Sequence, residues 1–376
     1  MSDISDSTAM TIQVGDPAPT FAQRTLGRPG FNIDTIAGRY IVLCFFLSAR
    51  DESSAPVMNF IRQNEGFFDD GKASLFGITA DERDCDDPAI KEKIPGIRFF
   101  IDIDLKISKL YGLASPASND LRDVDLKRRC WFVLDPSLRV KKIFPLHEYR
   151  ELLHYLRALP PPHRHLGFDI PVPVLIVPDV FERAMCDDLI RRYEEHGGES
   201  SGVMREIDAR TVLVQDPSFK VRKDYNIREP EILRALQDRI LRRVVPEIYK
   251  VHQFRVTRME RYLVSCYASE DGAHFRPHRD NTTKGTAHRR FAVSINLNDD
   301  FRGGEVCFPE YSLNGFKVPA GSAVVFSCSL LHAVSRVTAG RRYAFLPFVY
   351  DDAAARIRQQ NKTYLESRAP APEPSI

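Results

Sequence analysis

Five prolines in fifteen residues, LPPPHRHLGFDIPVP (159–173), constrain this chain more than any other sequence feature. Proline fixes φ and removes a backbone donor, so neither a helix nor a central strand passes through such a run. With 376 residues, the chain is also longer than one hydrophobic core usually serves. The sequence therefore predicts two domains, over 12–160 and 174–355, joined by a linker over 161–173 and followed by a tail over 356–376.

The composition is that of a globular protein, with 43% hydrophobic and 28% charged residues. The net charge of +2 gives no electrostatic reason to expect nucleic acid or an anionic membrane as a partner. No signal-like start or long apolar stretch is visible, so we expect neither secretion nor a membrane span, and the cytoplasm is the expected location. The seven cysteines include no CxxC pair and are expected to be reduced thiols. The oligomeric state stays open, and a dimer is compatible with the sequence.

The first half alternates predicted strands with predicted helices. Four short apolar runs have strand character, and the last two are typical of a hairpin: 40–46, 74–79, 131–136 and 139–144. Two segments have helical spacing: 55–68 and 148–159. This alternation predicts an α/β layer domain.

The second half begins with helical patterns and then becomes rich in strands. Amphipathic helices are predicted over 182–196 and over 229–252, the latter interrupted by Pro246. Apolar runs separated by glycine, proline and asparagine turns follow from about residue 254: 254–267, 289–298, 303–309, 322–328 and 341–350. The simplest architecture is a β-sandwich with helices packed outside it.

The segment HFRPHRDN (274–281) offers two metal ligands. In a strand, the period of two would place His278 and Asp280 on one face. His332, several strands further along, is the candidate third ligand, and three protein ligands leave positions open for a 2-oxo acid and dioxygen on iron(II). Arg342 follows on the next apparent strand, where its planar cation could bind the distal carboxylate of 2-oxoglutarate.

Other interpretations of these residues remain open at this point. An HxD pattern alone is weak evidence, because short patterns arise by chance. His274 and His278 also form an HxxxH pair for zinc, although that spacing suits a helix better than a strand. Arg341 competes with Arg342, but alternation turns one of the two outward, and the RY dipeptide favours Arg342.

Three segments resemble the catalytic core of prolyl 4-hydroxylase-type 2-oxoglutarate oxygenases, across roughly residues 172–352: CYASEDGAHFRPHRDN, RRFAVSINLNDDFRGGEVCFPE and VPAGSAVVFSCSLLHAVSRVTAGRRYAFLPF. The resemblance implies a double-stranded β-helix, a jelly-roll or cupin-like fold with flanking helices. It also implies iron ligation by the catalytic residues His278, Asp280 and His332, and 2-oxoglutarate binding by Arg342.

The same resemblance implies the cosubstrates and the reaction. Iron(II), 2-oxoglutarate and dioxygen are expected, with ascorbate as a compatible reductant. The reaction would hydroxylate a C–H bond of a prolyl or similar residue in a peptide, protein or free amino acid, releasing succinate and carbon dioxide. Tyr267 matches a family tyrosine near 2-oxoglutarate, although a core aromatic is the simpler interpretation. Asn296 stands where some relatives have a carboxylate-binding tyrosine, so this cofactor contact is either made by Asn296 or lost.

The first half resembles the peroxiredoxin branch of the thioredoxin fold, through VGDPAPTFAQRT, YIVLCFF and RRCWFVLDPSLRVKKIF. In that family a proline, a threonine and the peroxidatic cysteine follow the strand. Here Ser48, Glu52 and Ala55 stand at those places, while Arg129 matches the activating arginine. Peroxide reduction requires a thiolate, so this domain is expected to have lost it and to act as a scaffold or in recognition.

Two further functions are compatible with the sequence. One is a thiol peroxidase using a relocated cysteine, Cys44 or Cys130, and the other is a non-catalytic sensor of 2-oxoglutarate or oxygen. The loops over 200–225 and 281–290 are expected to flank the pocket mouth without revealing the substrate. The basic run KVRK (220–223) is expected to be a solvated surface.

Overall fold

The computed structural model describes residues 12–207 and 210–365, without the side chain of Asp123. The chain divides into two compact units. The first contains residues 12–171 and 310–312, and the second contains 172–309 and 313–365.

The first unit has one five-stranded sheet, in the order β5-β4-β3-β6-β7. Its strands are β1 (Ala22–Gln23), β2 (Phe31–Asn32), β3 (Tyr40–Leu47), β4 (Ala73–Thr79), β5 (Ile97–Ile101), β6 (Cys130–Leu134) and β7 (Val140–Pro145). Its helices are α1 (Ala55–Gln63), α2 (Lys106–Leu110) and α3 (Tyr149–Ala158). Strands β3, β4 and β5 are parallel, and β6 and β7 form the predicted antiparallel hairpin.

Burial explains this arrangement of the first unit. Every residue of β3 is buried, as expected for a parallel strand covered on both faces. Helices α1 and α3 contribute Phe60, Ile61 and Leu152 to the core that includes Trp131 of β6. The mixed sheet with flanking helices confirms the thioredoxin-like α/β prediction. The helix predicted over 55–68 is shorter, because α1 ends at Gln63 and a separate 3-10 turn follows.

The second unit contains three sheets within its described residues, of which one is the two-stranded β10–β11 hairpin and two are larger. Its strands are β8 (Leu175–Val177), β9 (Glu199–Ser200), β10 (Val203–Ile207), β11 (Arg210–Val214), β12 (Lys220–Val221), β13 (Lys223–Asn226), β14 (Arg258–Glu260), β15 (Leu263–Ala268), β16 (His274–His278), β17 (Phe291–Asn296), β18 (Val306–Cys307), β19 (Ala323–Ser327), β20 (His332–Val334), β21 (Arg341–Phe345) and β22 (Phe348–Tyr350). Its helices are α4 (Arg183–His196), α5 (Pro230–Arg243), α6 (Val245–His252) and α7 (Asp352–Gln360).

The minor sheet has the order β12-β16-β20-β18, and the major sheet contains β15, β17, β19, β21 and β22. Side chains of the two sheets meet in one apolar cluster, where Tyr267 of the major sheet packs with Val334 and Phe275 of the minor sheet. The outer face of the major sheet is covered by helices, since Leu189, Leu236 and Ile248 share a core with its strands. These two facing sheets with flanking helices confirm the jelly-roll prediction.

The break predicted at Pro246 is present. Helix α5 ends at Arg243, and Pro246 lies in the first turn of α6, where a missing backbone donor costs nothing. Among residues 12–207 and 210–365, no helix combines the length and apolar character that a membrane span requires.

Candidate metal centre and cosubstrate site

The structure brings His278, Asp280 and His332 together. His278 ends β16 and His332 begins β20, and these two residues are direct partners across the minor sheet. Their ligand atoms and those of Asp280 all lie within 4.8 Å of one another. The Nε2 atom of His278 lies 3.6 Å from one Asp280 oxygen, and that of His332 lies 3.3 Å from the other.

Asp280 reaches the cluster from a turn, because β16 ends two residues earlier. The sequence-based expectation of one continuous strand face was therefore wrong about the local structure. The backbone N–H of Asp280 donates to the Cys328 carbonyl at 2.9 Å, which holds the turn against the segment leading to His332. The three side chains converge although only the histidines lie on strands.

Main-chain carbonyls fix the orientation of both imidazoles. The Nδ1 atom of His278 lies 2.8 Å from the Arg276 carbonyl, and that of His332 lies 3.0 Å from the Leu330 carbonyl. A carbonyl only accepts, so each Nδ1 carries the proton and each Nε2 presents its lone pair to the cluster. Such partners orient metal-binding histidines in proteins.

The electrostatics of the cluster suit a cation. Burial raises the pKa of Asp280, whereas positive charge nearby, including that of Arg289, lowers it, and the resulting pKa lies below its usual range. Burial lowers the pKa of His332 to about 4, so this imidazole is neutral at neutral pH. Two neutral nitrogen donors and one carboxylate fit iron(II) and leave coordination positions free for other ligands.

Aromatic rings surround the cluster. The Phe275 ring stacks on His278 with 3.5 Å between ring centroids, and Phe326 lies 4.6 Å from His332. These rings limit the access of water to the ligand atoms, which strengthens electrostatic interactions there.

Arg342 lies on β21 with 2% of its surface exposed. Its Nε donates to the Asn296 Oδ1 at 3.0 Å, and its Nη2 donates to the Ser294 Oγ at 2.9 Å. Its Nη1 is buried and has no hydrogen-bond partner among the described residues. Burial lowers the pKa of this guanidinium, which has no carboxylate bonded to it in the described chain. A buried donor of this kind fits an anionic ligand.

Asn296 and Tyr267 both adjoin Arg342. The Asn296 amide accepts from Arg342 and donates from Nδ2 to the Val318 carbonyl at 2.8 Å. Tyr267 lies opposite Arg342 in the β15–β21 pairing, and the Arg342 guanidinium lies 5.5 Å from the centre of its ring. Its hydroxyl accepts from Arg222 at 3.2 Å. Asn296 therefore orients the Arg342 guanidinium, while Tyr267 contacts the guanidinium groups of both Arg222 and Arg342.

The competing sequence candidates lie elsewhere. The His274 ring is directed at the carbonyls of Gly272 and Ser218, at 3.0 and 3.5 Å. Arg341 turns outward, and its side chain forms an ion pair with Glu270 at 2.6 Å.

Sequence reasoning was wrong about the run 220–223. Lys220 and Arg222 are 7% and 6% exposed, so they do not form a solvated surface. The alternation of Lys220, Arg222 and Asp224 with outward residues was the available signal, since a strand buries every second side chain.

In the first unit, Ala55 begins α1 where the peroxidatic thiol would stand. Arg129 there forms an ion pair with Asp51 at 3.0 Å. The two candidate replacement thiols are deactivated, because burial raises the pKa of Cys130 to about 12 and that of Cys44 well above its usual value. Thiolate chemistry at these cysteines is therefore strongly disfavoured.

The jelly-roll fold and the three-ligand cluster fit a non-haem metal centre. Residues 262–350 match the family model of the 2OG-Fe(II) oxygenase superfamily. A PKHD-type hydroxylase from Synechococcus sp. is 28% identical over 128 residues, which is 32% of this chain and 53% of that protein. A PKHD-type hydroxylase from Hyphomonas neptunium is 28% identical over 136 residues, 34% of this chain and 58% of that protein. The chain spans about half the length of these curated relatives.

Several solved structures have a low likeness to this chain. A prolyl hydroxylase from Trichoplax adhaerens, solved with a hypoxia inducible factor oxygen degradation domain peptide fragment, has a TM-score of 0.39 and 16% identity, covering 50% of this chain and 86% of that chain. Peroxidoxin BcpB from Mycobacterium tuberculosis has a TM-score of 0.34 and 18% identity, covering 40% of this chain and 99% of that chain.

Proposed function

We propose that this chain is an iron(II)- and 2-oxoglutarate-dependent dioxygenase that hydroxylates a C–H bond of a prolyl or similar residue. The observation that carries the proposal is the convergence of His278, Asp280 and His332 within 4.8 Å, in a unit whose buried Arg342 keeps one donor unpartnered among the described residues. The match of 262–350 to the 2OG-Fe(II) oxygenase superfamily supports it. The PKHD-type relatives support hydroxylation.

His278, Asp280 and His332 would hold the iron through two imidazole Nε2 atoms and one carboxylate. With 2-oxoglutarate and dioxygen, bound iron supplies the oxidising power for hydroxylation, and succinate and carbon dioxide are the co-products. The carbonyls of Arg276 and Leu330 keep the proton on Nδ1 of each histidine, so neither ligand needs to change its tautomer when metal binds.

Arg342 would bind the distal carboxylate of 2-oxoglutarate through Nη1. Asn296 and Ser294 already hold Nε and Nη2, so the guanidinium is oriented before the cosubstrate arrives. In this proposal Asn296 contributes by positioning Arg342. The Tyr267 hydroxyl accepts from Arg222, and its own proton remains to be donated to an oxygen of the cosubstrate.

Anaerobic iron reconstitution of the full chain, followed by succinate detection with proline-containing peptides and free amino acids, tests the proposal. His278→Ala is expected to lose both iron binding and succinate formation, because it removes one of three ligands. His274→Ala is the matched control on the same strand and is expected to retain both. Iron binding that survives in folded His278→Ala protein would contradict the assignment.

A further inference from the structure

A second group of buried charges lies beside the proposed metal centre. Lys220, Arg222 and Asp224 are each at most 8% exposed, whereas Lys223 between them is exposed. This alternation places three charged side chains inside the unit and one outside. Buried charges are rare in proteins unless they are paired or bind a ligand.

The two buried cations converge on one hydroxyl group. The Lys220 Nζ donates to the Ser201 Oγ and to the Gly202 carbonyl, both at 2.7 Å. The Arg222 Nη2 donates to the same Ser201 oxygen at 3.2 Å and to the Asp224 carboxylate at 2.7 Å. Two like charges are thus held close together with one carboxylate between them.

The positive charge of this group exceeds its negative charge. Asp224, which bonds to Arg222, is the one carboxylate of the group formed by Lys220, Arg222 and Asp224, and both cations share it. Burial, and Arg222 beside it, lower the pKa of Lys220 well below its usual range, and an anion bound next to this amine would favour its charged form. The Nε of Arg222 is buried and has no partner in the part of the chain that the structure describes.

The charges of the proposed loaded centre do not supply the missing anion. Iron(II) and Arg342 would together carry three positive charges, and 2-oxoglutarate and Asp280 would together carry three negative charges. The excess at Lys220 and Arg222 would remain when metal and cosubstrate are bound. A further anionic group would neutralise it.

Lys220 and Arg222 adjoin both the proposed metal centre and the proposed 2-oxoglutarate site. Lys220 is paired across the minor sheet with Phe275, whose ring lies 4.9 Å from its Nζ and stacks on His278. Arg222 bonds to Tyr267, which lies opposite Arg342. An anion bound here would therefore be close to the metal ligands without using Arg342.

We propose that Lys220 and Arg222 form a subsite for a free carboxylate of the substrate. The inference rests on the proposed function and narrows its substrate class to a free or N-acylated amino acid, or the C-terminal residue of a peptide. The carboxylate would accept from Lys220 Nζ and Arg222 Nε, which gives Lys220 an anionic partner and gives Arg222 Nε the acceptor that it lacks in the described chain. A prolyl residue in the interior of a protein chain has no free α-carboxylate.

Calorimetric titration of the full chain with N-acetyl-L-proline and N-acetyl-L-prolinamide tests the subsite. These probes differ in one charge. Protein loaded anaerobically with iron(II) and 2-oxoglutarate is expected to bind the acid at least about tenfold more tightly than the amide, as one charge-assisted hydrogen bond predicts. Lys220→Met is expected to abolish this preference while leaving the affinity for 2-oxoglutarate unchanged.

Lys223→Met is the matched control, since it removes a neighbouring exposed cation and should keep the preference. Lys220→Met leaves Asp224 paired with Arg222, so folding should persist, and Lys220→Gln serves if it does not. Equal binding of acid and amide, or no binding of either, overturns the subsite, as does a preference that survives in both Lys220 variants. A loss of 2-oxoglutarate affinity in Lys220→Met would assign the group to the cosubstrate instead.

The two proposals fail separately in this design. If the wild-type chain takes up neither iron nor 2-oxoglutarate, the proposed function fails. The same titration of the metal-free protein then decides the subsite on its own, because the preference for the acid depends on Lys220 and Arg222.

Discussion

Replacing Arg342 with methionine gives a sharp test of the cosubstrate site. The substitution removes the guanidinium whose Nη1 is buried without a partner among the described residues. Hydrogen bonds to charged groups contribute about 1.5–3 kcal/mol, and about 1.4 kcal/mol corresponds to a tenfold change in affinity. We therefore expect the Kd of 2-oxoglutarate to rise roughly 10- to 150-fold.

The stability of the variant should change less than its affinity. Arg342→Met leaves Asn296 Oδ1 and Ser294 Oγ without their donor, but it also removes a buried charge with no carboxylate bonded to it. These effects oppose each other, and we expect the free energy of unfolding to fall by at most about 3 kcal/mol.

Anaerobic titration of 2-oxoglutarate into iron(II)-loaded protein measures the effect. Arg341→Met is the matched control, because its side chain is exposed and loses surface ion pairs with Glu270 and Glu194, each worth about 0–1 kcal/mol. An unchanged Kd in Arg342→Met, or an equal loss in Arg341→Met, would refute the assignment of Arg342.

Three further outcomes are expected. Arg289 outweighs the effect of burial and holds the pKa of Glu260 below its usual range, so Glu260→Gln should cost roughly 3–5 kcal/mol near neutral pH. Because the pKa of Glu260 is lower in the folded state than in the unfolded state, the full difference in unfolding free energy is expected above the unfolded-state pKa of about 4.3, and it should shrink as the pH falls below that value. Urea unfolding above and below this pKa measures the difference. A difference that does not change with pH would contradict the reasoning. Thiol-dependent peroxide consumption should stay at background, and a rate that persists in His278→Ala would instead indicate a peroxidase. Trp131→Phe removes the indole N–H that donates to the Leu146 carbonyl at 2.9 Å, and it should lower the free energy of unfolding by about 1–3 kcal/mol. Unfolding followed by circular dichroism measures this change, and an unchanged free energy would speak against a stabilising role of the bond.

The sequence predicted those strands and helices whose apolar residues form a continuous or periodic pattern over several positions. β3 is apolar throughout and was predicted within one residue of its end, and the break at Pro246 follows from backbone chemistry alone. The turn that carries Asp280 was not predicted, because its conformation depends on a hydrogen bond to Cys328, far along the chain. Long-range contacts of this kind leave no local pattern.

For the same reason, the sequence predicted some residues of the candidate site and missed others. His278, His332 and Arg342 are recognisable by residue type and order, and the structure brings the two histidines together. The roles of these residues, and of Tyr267 and Asn296, stay predictions until ligand binding is measured. Lys220 and Arg222 were missed because charged residues between predicted elements usually face water, and only the fold reveals that these two are buried.

The carbonyls that orient His278 and His332 lie two residues before each histidine, so each ligand is oriented by the chain segment that directly precedes it. A centre assembled in advance from two nitrogen donors and one carboxylate has little means of rejecting other first-row ions, whose affinities follow a general order that places iron near the weak end. Occupancy would then be decided by which ions the surroundings supply. Protein purified without added iron is expected to carry a mixture of zinc, nickel and cobalt. The proportions of these metals would depend on the growth medium more than on the protein.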